Sequence, residues 1–372
     1  MRRKDFPQLE KDITYLDSAC MSLRPERVIE KVNEYYREYS GCSGRSGHSL
    51  SRKAQKELED SRKKVASFID AKPEELMLTS GTTESINTVA QGLDFERVFL
   101  SEKEHNSNRA VWQSLGVETV NMKAADPDFL SQTLGKNDLV SMLHASNLDG
   151  ELFDIEEVCK IARENQAYTL IDAAQSIPHR PFSVKEMGPD FVAFSGHKML
   201  GPTGTGGLYA AKRVQDQLEP LKYGGGAVDD ADFSKSNRKA FPQGFEPGLK
   251  NLAGLVGFGS AVDYLEDIGM EKVQSHEEKL TEEMNSDLQE MDVKVLNKGP
   301  GIVSIVPSSI SSHEAAEILD RRGIKLRAGQ HCVHPWFKNK EFDGTLRASL
   351  HLYNNQEDVE DFLKVMRKIS KL

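Results

Sequence analysis

Lys198 stands in Phe194-Ser195-Gly196-His197-Lys198-Met199-Leu200-Gly201-Pro202-Thr203-Gly204, directly after the apolar run Asp190-Phe191-Val192-Ala193-Phe194. A short apolar run predicts a buried strand, and the glycines and Pro202 force a loop after it. A lysine delivered by such a strand end is placed for covalent chemistry rather than for solvation. A second strand end carries an acid, Asp172 in Thr169-Leu170-Ile171-Asp172-Ala173-Ala174-Gln175. Its apolar neighbours predict burial, and a buried carboxylate needs a charged partner. A lysine and an acid on neighbouring strand ends suit pyridoxal phosphate (PLP). The lysine forms a Schiff base and the acid keeps the pyridine nitrogen protonated, so that the ring acts as an electron sink.

Other polar signatures fall just after apolar runs. Leu78-Thr79-Ser80-Gly81-Thr82-Thr83-Glu84 reads as strand, glycine turn and helix start. Amides and hydroxyls at such a helix start suit a phosphate, while an ordinary N-cap reads the same way. His105, in Glu104-His105-Asn106, offers an imidazole to stack on a ring or to cap a helix. Asn147 follows a further strand, and Gln175 lies three residues beyond Asp172; both amides reach a ring oxygen in this arrangement. Ser195 and His197 flank the lysine and suit phosphate contacts.

Cys332 stands in Arg327-Ala328-Gly329-Gln330-His331-Cys332-Val333-His334-Pro335. Basic and imidazole groups on both sides favour a reactive thiolate over a structural thiol. Arg347 opens the strand Leu346-Arg347-Ala348-Ser349-Leu350. It can clamp a substrate carboxylate with two parallel hydrogen bonds, or pair with an acid such as Asp343.

The elements that must position these groups alternate. Strands are expected at Leu76–Thr79, Arg97–Leu100, Leu139–His144, Tyr168–Asp172, Phe191–Phe194 and Gly207–Ala211, with amphipathic helices such as Asp154–Asn165 between them. Alternating βα units predict an α/β fold with a mostly parallel sheet covered on both sides, and ligands bind beyond the carboxyl ends of its strands. Tyr223–Gly248, with Gly224-Gly225-Gly226, reads as a long loop near the site. Helices at Asn251–Leu265, Glu271–Gln289, His313–Arg322 and Gln356–Lys371, with strands at Ile302–Val306, Lys325–Arg327 and Leu346–Leu350, predict a smaller α+β domain. The division expected is 16–255 for a large cofactor-binding domain and 1–15 with 256–372 for the small one.

The 372 residues are 38% hydrophobic and carry a net charge of −10, which argues against a general nucleic-acid surface. No run of about 18 apolar residues predicts a membrane span, and the basic start has no apolar stretch behind it. The four cysteines form no C-x-x-C pair, so no metal site is expected, and so few thiols fit a reducing cytoplasm.

In this order the residues resemble the class V, fold-type I PLP enzymes, and more narrowly the SUF-type (group II) cysteine desulfurases. The resemblance runs from Tyr15-Leu16-Asp17-Ser18-Ala19 to Arg347-Ala348-Ser349-Leu350. The lysine segment is similar to that of the superfamily. Arg327–Cys332 is similar to the subgroup's Arg-x-Gly-His-His-Cys signature. The resemblance implies that Lys198 carries PLP, Asp172 pairs with the pyridine nitrogen and His105 stacks on the ring. Asn147 and Gln175 would contact the ring oxygen. Thr82, Thr83, Ser195 and His197 would surround the phosphate. Arg347 and Asn147, with His48 nearby, would meet the substrate, and Cys332 would become a persulfide. The implied activity converts L-cysteine to L-alanine and passes sulfur to an acceptor protein of Fe–S assembly or related trafficking, from a cytoplasmic homodimer. A selenocysteine lyase, or another class V lyase or aminotransferase, is the alternative. A catalytically idle fold is a further one, against which Lys198, Asp172 and Arg347 weigh. Three positions depart from the pattern: Gln330 replaces a histidine, Leu249 a threonine that reaches the neighbouring subunit's phosphate, and Gly244 an arginine.

Overall fold

The computed structural model describes residues 2–44, 46–122, 126–338 and 340–372. Its centre is a seven-stranded sheet in the order Leu76–Thr79, Gly206–Ala210, Phe191–Ser195, Tyr168–Asp172, Leu139–Leu143, Val98–Ser101, Thr119–Met122. Gly206–Ala210 runs antiparallel to both neighbours; the other six strands point the same way. The exception has a local cause. Phe191–Ser195 returns through the short Lys198 loop, with no crossover helix to restore the direction.

Side chains of the central strands alternate between two apolar cores. Val192, Phe194 and Ile171 enter one, while Phe191, Ala193 and Leu170 enter the other. That period of two, with both faces apolar, marks a sheet buried on both sides. The helix Ile155–Glu164 covers one face with Ile155, Val158, Cys159, Ile161 and Ala162, its start capped by Asp154.

The last third forms a four-stranded sheet, Val293–Leu296, Ile302–Pro307, Thr345–Ser349, Arg327–Gly329, antiparallel throughout. The helices Met270–Gln289, Ser312–Asp320 and Gln356–Ile369 join it in a third apolar core. The expected strand at Lys325–Arg327 is split. Ile324–Lys325 pairs in parallel with Thr14–Tyr15, whereas Arg327–Gly329 joins the four-stranded sheet. The Tyr223–Gly248 stretch is not loop throughout, since Val228–Ala231 and Ser236–Arg238 pair as an exposed hairpin. Among the described residues no helix is long and apolar enough to cross a membrane.

Candidate active site

Five of the six co-directed strands deliver residues at their carboxyl ends to a cavity of about 250 Å³. Every residue given a cofactor, substrate or catalytic role from the sequence lines it except His48. His48 is exposed and caps the Ser49–Phe68 helix, its Nδ1 accepting from Ser51 N–H at 3.3 Å. The helix start needs that acceptor, so within this chain the ring is held away from the cavity.

Lys198 and Asp172 face each other at the cavity floor. Asp172 is buried, and its Oδ1 accepts one backbone N–H, from Ala174 at 3.0 Å. Burial pushes this carboxyl up, and the Lys198 charge opposes the push. Burial also holds Lys198 below the ordinary lysine range, against the pull of Asp172. The loop is fixed from below by Ser22, whose hydroxyl donates to the His197 carbonyl at 2.9 Å and accepts Leu200 N–H at 2.9 Å. Gly196 has no substitute there, because a Cβ would stand 2.3 Å from Thr205 Oγ1.

At the start of the Thr82–Gly92 helix the cap is Gly81, with φ 143, rather than a threonine. Thr82 N–H donates to Ser195 Oγ at 2.9 Å, and the Thr82 and Ser195 hydroxyls pair at 2.7 Å. Thr83 is exposed toward the cavity and pairs with Ser107 Oγ at 2.9 Å. Hydroxyls and amides, paired with one another, thus converge on a helix start. His197 borders them with its imidazole pushed down to about 4 by burial. His105 is pushed down to about 3, by burial first and then by Lys198 and Arg347, so its ring is neutral.

The opposite wall belongs to Arg347 and Cys332. Arg347 is buried; it donates through Nη1 to the Asn147 carbonyl at 2.8 Å and lies 3.4 Å through Nη2 from Asp17 Oδ1. Its acid partner is therefore Asp17 and not Asp343, and its Nε has no partner. Cys332 is exposed at the tip of a tight turn closed by Val333 N–H to the Gln330 carbonyl at 2.8 Å. His331 and Cys332 take φ of 49 and 60. Two successive positive φ values are the type I′ pattern, and each costs a residue with a side chain of order 1–3 kcal/mol. The turn is held by Asn147 Nδ2–H to the His331 carbonyl at 2.7 Å, and by Asn106 N–H to the Cys332 carbonyl at 2.7 Å. His331, pushed down to about 2 by burial, points Nε2 at Thr345 Oγ1, 2.8 Å away.

The sequence reading left out several positioning groups. Asp17 pairs with Arg327 at 3.1 Å as well as with Arg347. Glu104 is buried beneath His105, accepting from Ser101 Oγ, Asn108 Nδ2 and Leu143 N–H at 2.5, 2.7 and 3.1 Å. An acid adjoining His105 was visible; its burial was not. Cys20 and Arg327 also line the cavity. Gly244 now has a physical reason, since a Cβ there would lie 2.0 Å from the Lys239 carbonyl oxygen.

A sheet of this kind, with a lysine, an acid and a helix start meeting at its carboxyl edge, is that of the class V aminotransferases. The sequence matches the family described as "Aminotransferase class-V" over residues 14–362. It is 36% identical to a probable cysteine desulfurase of Pyrococcus abyssi, over 99% of this chain and 97% of that one. It is 38% identical to another of Methanothermobacter thermautotrophicus, again over 99% and 97%. The apo structure of a cysteine desulfurase from Thermococcus onnurineus superposes with a TM-score of 0.95 at 36% identity, covering 99% of this chain and 97% of the other. The cysteine desulfurase CsdA (S-sulfonic acid) of Escherichia coli gives 0.91 at 28%, with the same coverage. The chain belongs to the cysteine desulfurase family of class V, fold-type I PLP-dependent enzymes.

Proposed function

We propose that the protein is a cysteine desulfurase that converts L-cysteine to L-alanine and carries the sulfur as a persulfide on Cys332, for Fe–S cluster assembly or related transfer. The observation that carries this reading is the meeting of Lys198, Arg347 and an exposed Cys332 in one cavity. The relatives named above point the same way.

The residues present fit PLP. Asp172 is a buried carboxylate with a single backbone hydrogen bond at Oδ1, and Gln175 Oε1 is buried without a partner. Lys198 would hold the cofactor covalently, Asp172 would hold its pyridine nitrogen and His105 its ring face. Asn147 and Gln175 would lie toward the ring oxygen, and Thr82, Thr83, Ser195 and His197 around the phosphate. Gln175 Nε2–H already donates to the Ala19 carbonyl at 2.6 Å, so that contact asks the amide to reorient. PLP, when bound, supplies the sink for the electron pair left at the substrate Cα.

The chain's residues do the rest. Arg347 presents Nε and its fork to the substrate carboxylate, a charge-assisted contact that fixes the Cα–H bond relative to Lys198. Lys198 Nζ, whose proton burial disfavours, takes the Cα proton and returns it to the product. Cys332 Sγ attacks the substrate sulfur, forming the S–S bond as the substrate's C–S bond breaks.

A homodimer fits the exposed apolar side chains Tyr223, Phe233 and Leu249 on one segment, which a second copy would cover. Leu249 cannot offer the partner a hydroxyl. A cytoplasmic setting fits four free cysteines. For the two-domain division, 16–255 against 1–15 and 256–372, the separate third core supports a small domain, although Phe6, Leu9 and Leu252–Ile268 pack on the first core and Leu16 on the third.

The deciding experiment measures alanine and sulfide released from L-cysteine with PLP and a reductant, for wild type and Cys332→Ala. Equal products from wild type and none from the variant are expected. Alanine from both would replace the reading with a lyase that needs no thiol.

A further inference from the structure

Of the four cysteines, two are accounted for elsewhere. Cys159 is buried in the first core beside Thr169, and burial pushes its thiol up to about 12. Cys42 is exposed and lines a different cavity. Cys20 is neither. It is half-buried, lines the same cavity as Cys332, and takes no part in the chemistry above.

The two thiols share one cavity, and the segments that carry them are joined through Asp17. Cys20 closes a turn on Asp17, its N–H donating to the Asp17 carbonyl at 3.1 Å. Asp17 pairs with Arg327 at 3.1 Å, five residues before Cys332 on the same segment. Ala19 is anchored on both sides, by N–H to Ser349 Oγ at 2.9 Å and by its carbonyl to Gln175 Nε2 at 2.6 Å. Cys20 is therefore fixed, whereas Cys332 sits exposed on a strained turn. Cys20, Cys332, Lys198 and Arg327 line the one cavity together.

We propose that Cys20 is a resolving thiol for Cys332, forming an internal Cys20–Cys332 disulfide when the persulfide finds no acceptor. The proposal rests on the desulfurase reading for the source of the persulfide. Cys20 thiolate attacks Cys332 Sγ, the inner sulfur. The bond between Cys332 Sγ and the terminal sulfur breaks, and hydrosulfide leaves with the electron pair. The terminal sulfur is reduced to sulfide as the Cys20 sulfur is oxidised into the disulfide, so no external oxidant enters. Closure asks the turn to bring the two Cα atoms to ~4.4–6.8 Å. A dithiol reductant then restores both thiols by exchange. Without an acceptor the enzyme would release its sulfur once and stop.

The test uses the PLP-loaded protein without reductant, quenched by alkylation and mapped by mass spectrometry. One arm loads sulfur with a single equivalent of L-cysteine. The other uses inorganic polysulfide, which needs no desulfuration. Expected in wild type is a linked pair of peptides carrying Cys20 and Cys332, lighter by two hydrogens, with sulfide released. In Cys20→Ser the Cys332 peptide should instead stay heavier by one sulfur, with persulfide occupancy roughly tenfold above wild type. A persulfide that persists on wild-type Cys332, with Cys20 freely alkylated in the polysulfide arm, overturns the proposal. Absence of alanine in the L-cysteine arm counts against the desulfurase reading alone, because the polysulfide arm still decides the disulfide.

Discussion

Asn147 donates its side-chain amide to the His331 backbone carbonyl at 2.7 Å, while its own backbone carbonyl accepts Arg347 Nη1 at 2.8 Å. One residue, four beyond the strand Leu139–Leu143, thus fixes both the cysteine turn and Arg347. Asn147→Ala removes the amide and keeps the carbonyl. We expect kcat for alanine formation to fall about tenfold, as a neutral hydrogen bond of about 1 kcal/mol and the placing of Cys332 are lost together. Affinity for L-cysteine should change little. Steady-state kinetics separate the two, and a variant with only KM altered would contradict the turn-fixing role.

Arg347→Lys keeps a charge and loses the fork. Hydrogen bonds to charged groups contribute about 1.5–3 kcal/mol, so kcat/KM for L-cysteine should fall about ten- to a hundredfold. Arg327→Lys, on the exposed side of Asp17, should change it much less. Equal losses in both variants would argue that Asp17 holds the two arginines as one structural unit.

Arg62 and Glu246 form a buried two-pronged pair, with both bonds at 2.7 Å. Glu246 Oε1 also accepts Leu78 N–H, which anchors the strand leading to Thr82. Arg62→Met leaves that carboxylate buried without its cation and should destabilise the fold by about 3–5 kcal/mol. Urea denaturation checks this directly, and a loss under 1 kcal/mol would mean that Lys250, 3.5 Å from Glu246, takes over the pairing.

Acid should weaken the cofactor-free protein before most carboxylates titrate. His105, His144, His197 and His331 are pushed down from 6.5 to about 3, 4, 4 and 2, chiefly by burial. Below pH 6.5 the unfolded chain binds protons at these rings and the folded chain does not, so stability falls as pH drops, by at most about 1.4 kcal/mol per ring and unit. Glu104, pushed up to about 7 by burial, acts in the opposite sense between pH 7 and 4.5 and offsets one ring. Denaturation midpoints at pH 7.5, 6 and 5 should therefore decline steadily. A flat profile would mean that water reaches these imidazoles.

Much of this site was legible because its parts follow strands with unmistakable apolar runs. Tyr168–Asp172 ends in Asp172 and Phe191–Ser195 leads to Lys198 three residues on, so local sequence contains both the strand and the group it delivers. The edge strand Thr119–Met122 was missed since only Met122 is buried, which leaves no apolar run to read. Asp17 and Ser22 were missed for another reason. Their partners stand 310 and 175 residues away, and nothing near either residue announces them. His48 is a helix cap within this chain, a local role that its sequence neighbours alone do not announce.

The parallel pairing of Thr14–Tyr15 with Ile324–Lys325, and the reach of Asp17 to Arg327 and Arg347, sets an order on biosynthesis. Contacts of that sequence separation form late, after the intervening chain has closed its own core. While Thr345–Ser349 is still inside the ribosome, Asp17 lacks Arg347 and the cysteine turn lacks the Thr345 partner of His331. A nascent chain able to gather the Lys198 floor would still lack the clamp that presents Cys332. Products truncated before Thr345 are thereby left without the strand that holds the Cys332 turn through His331.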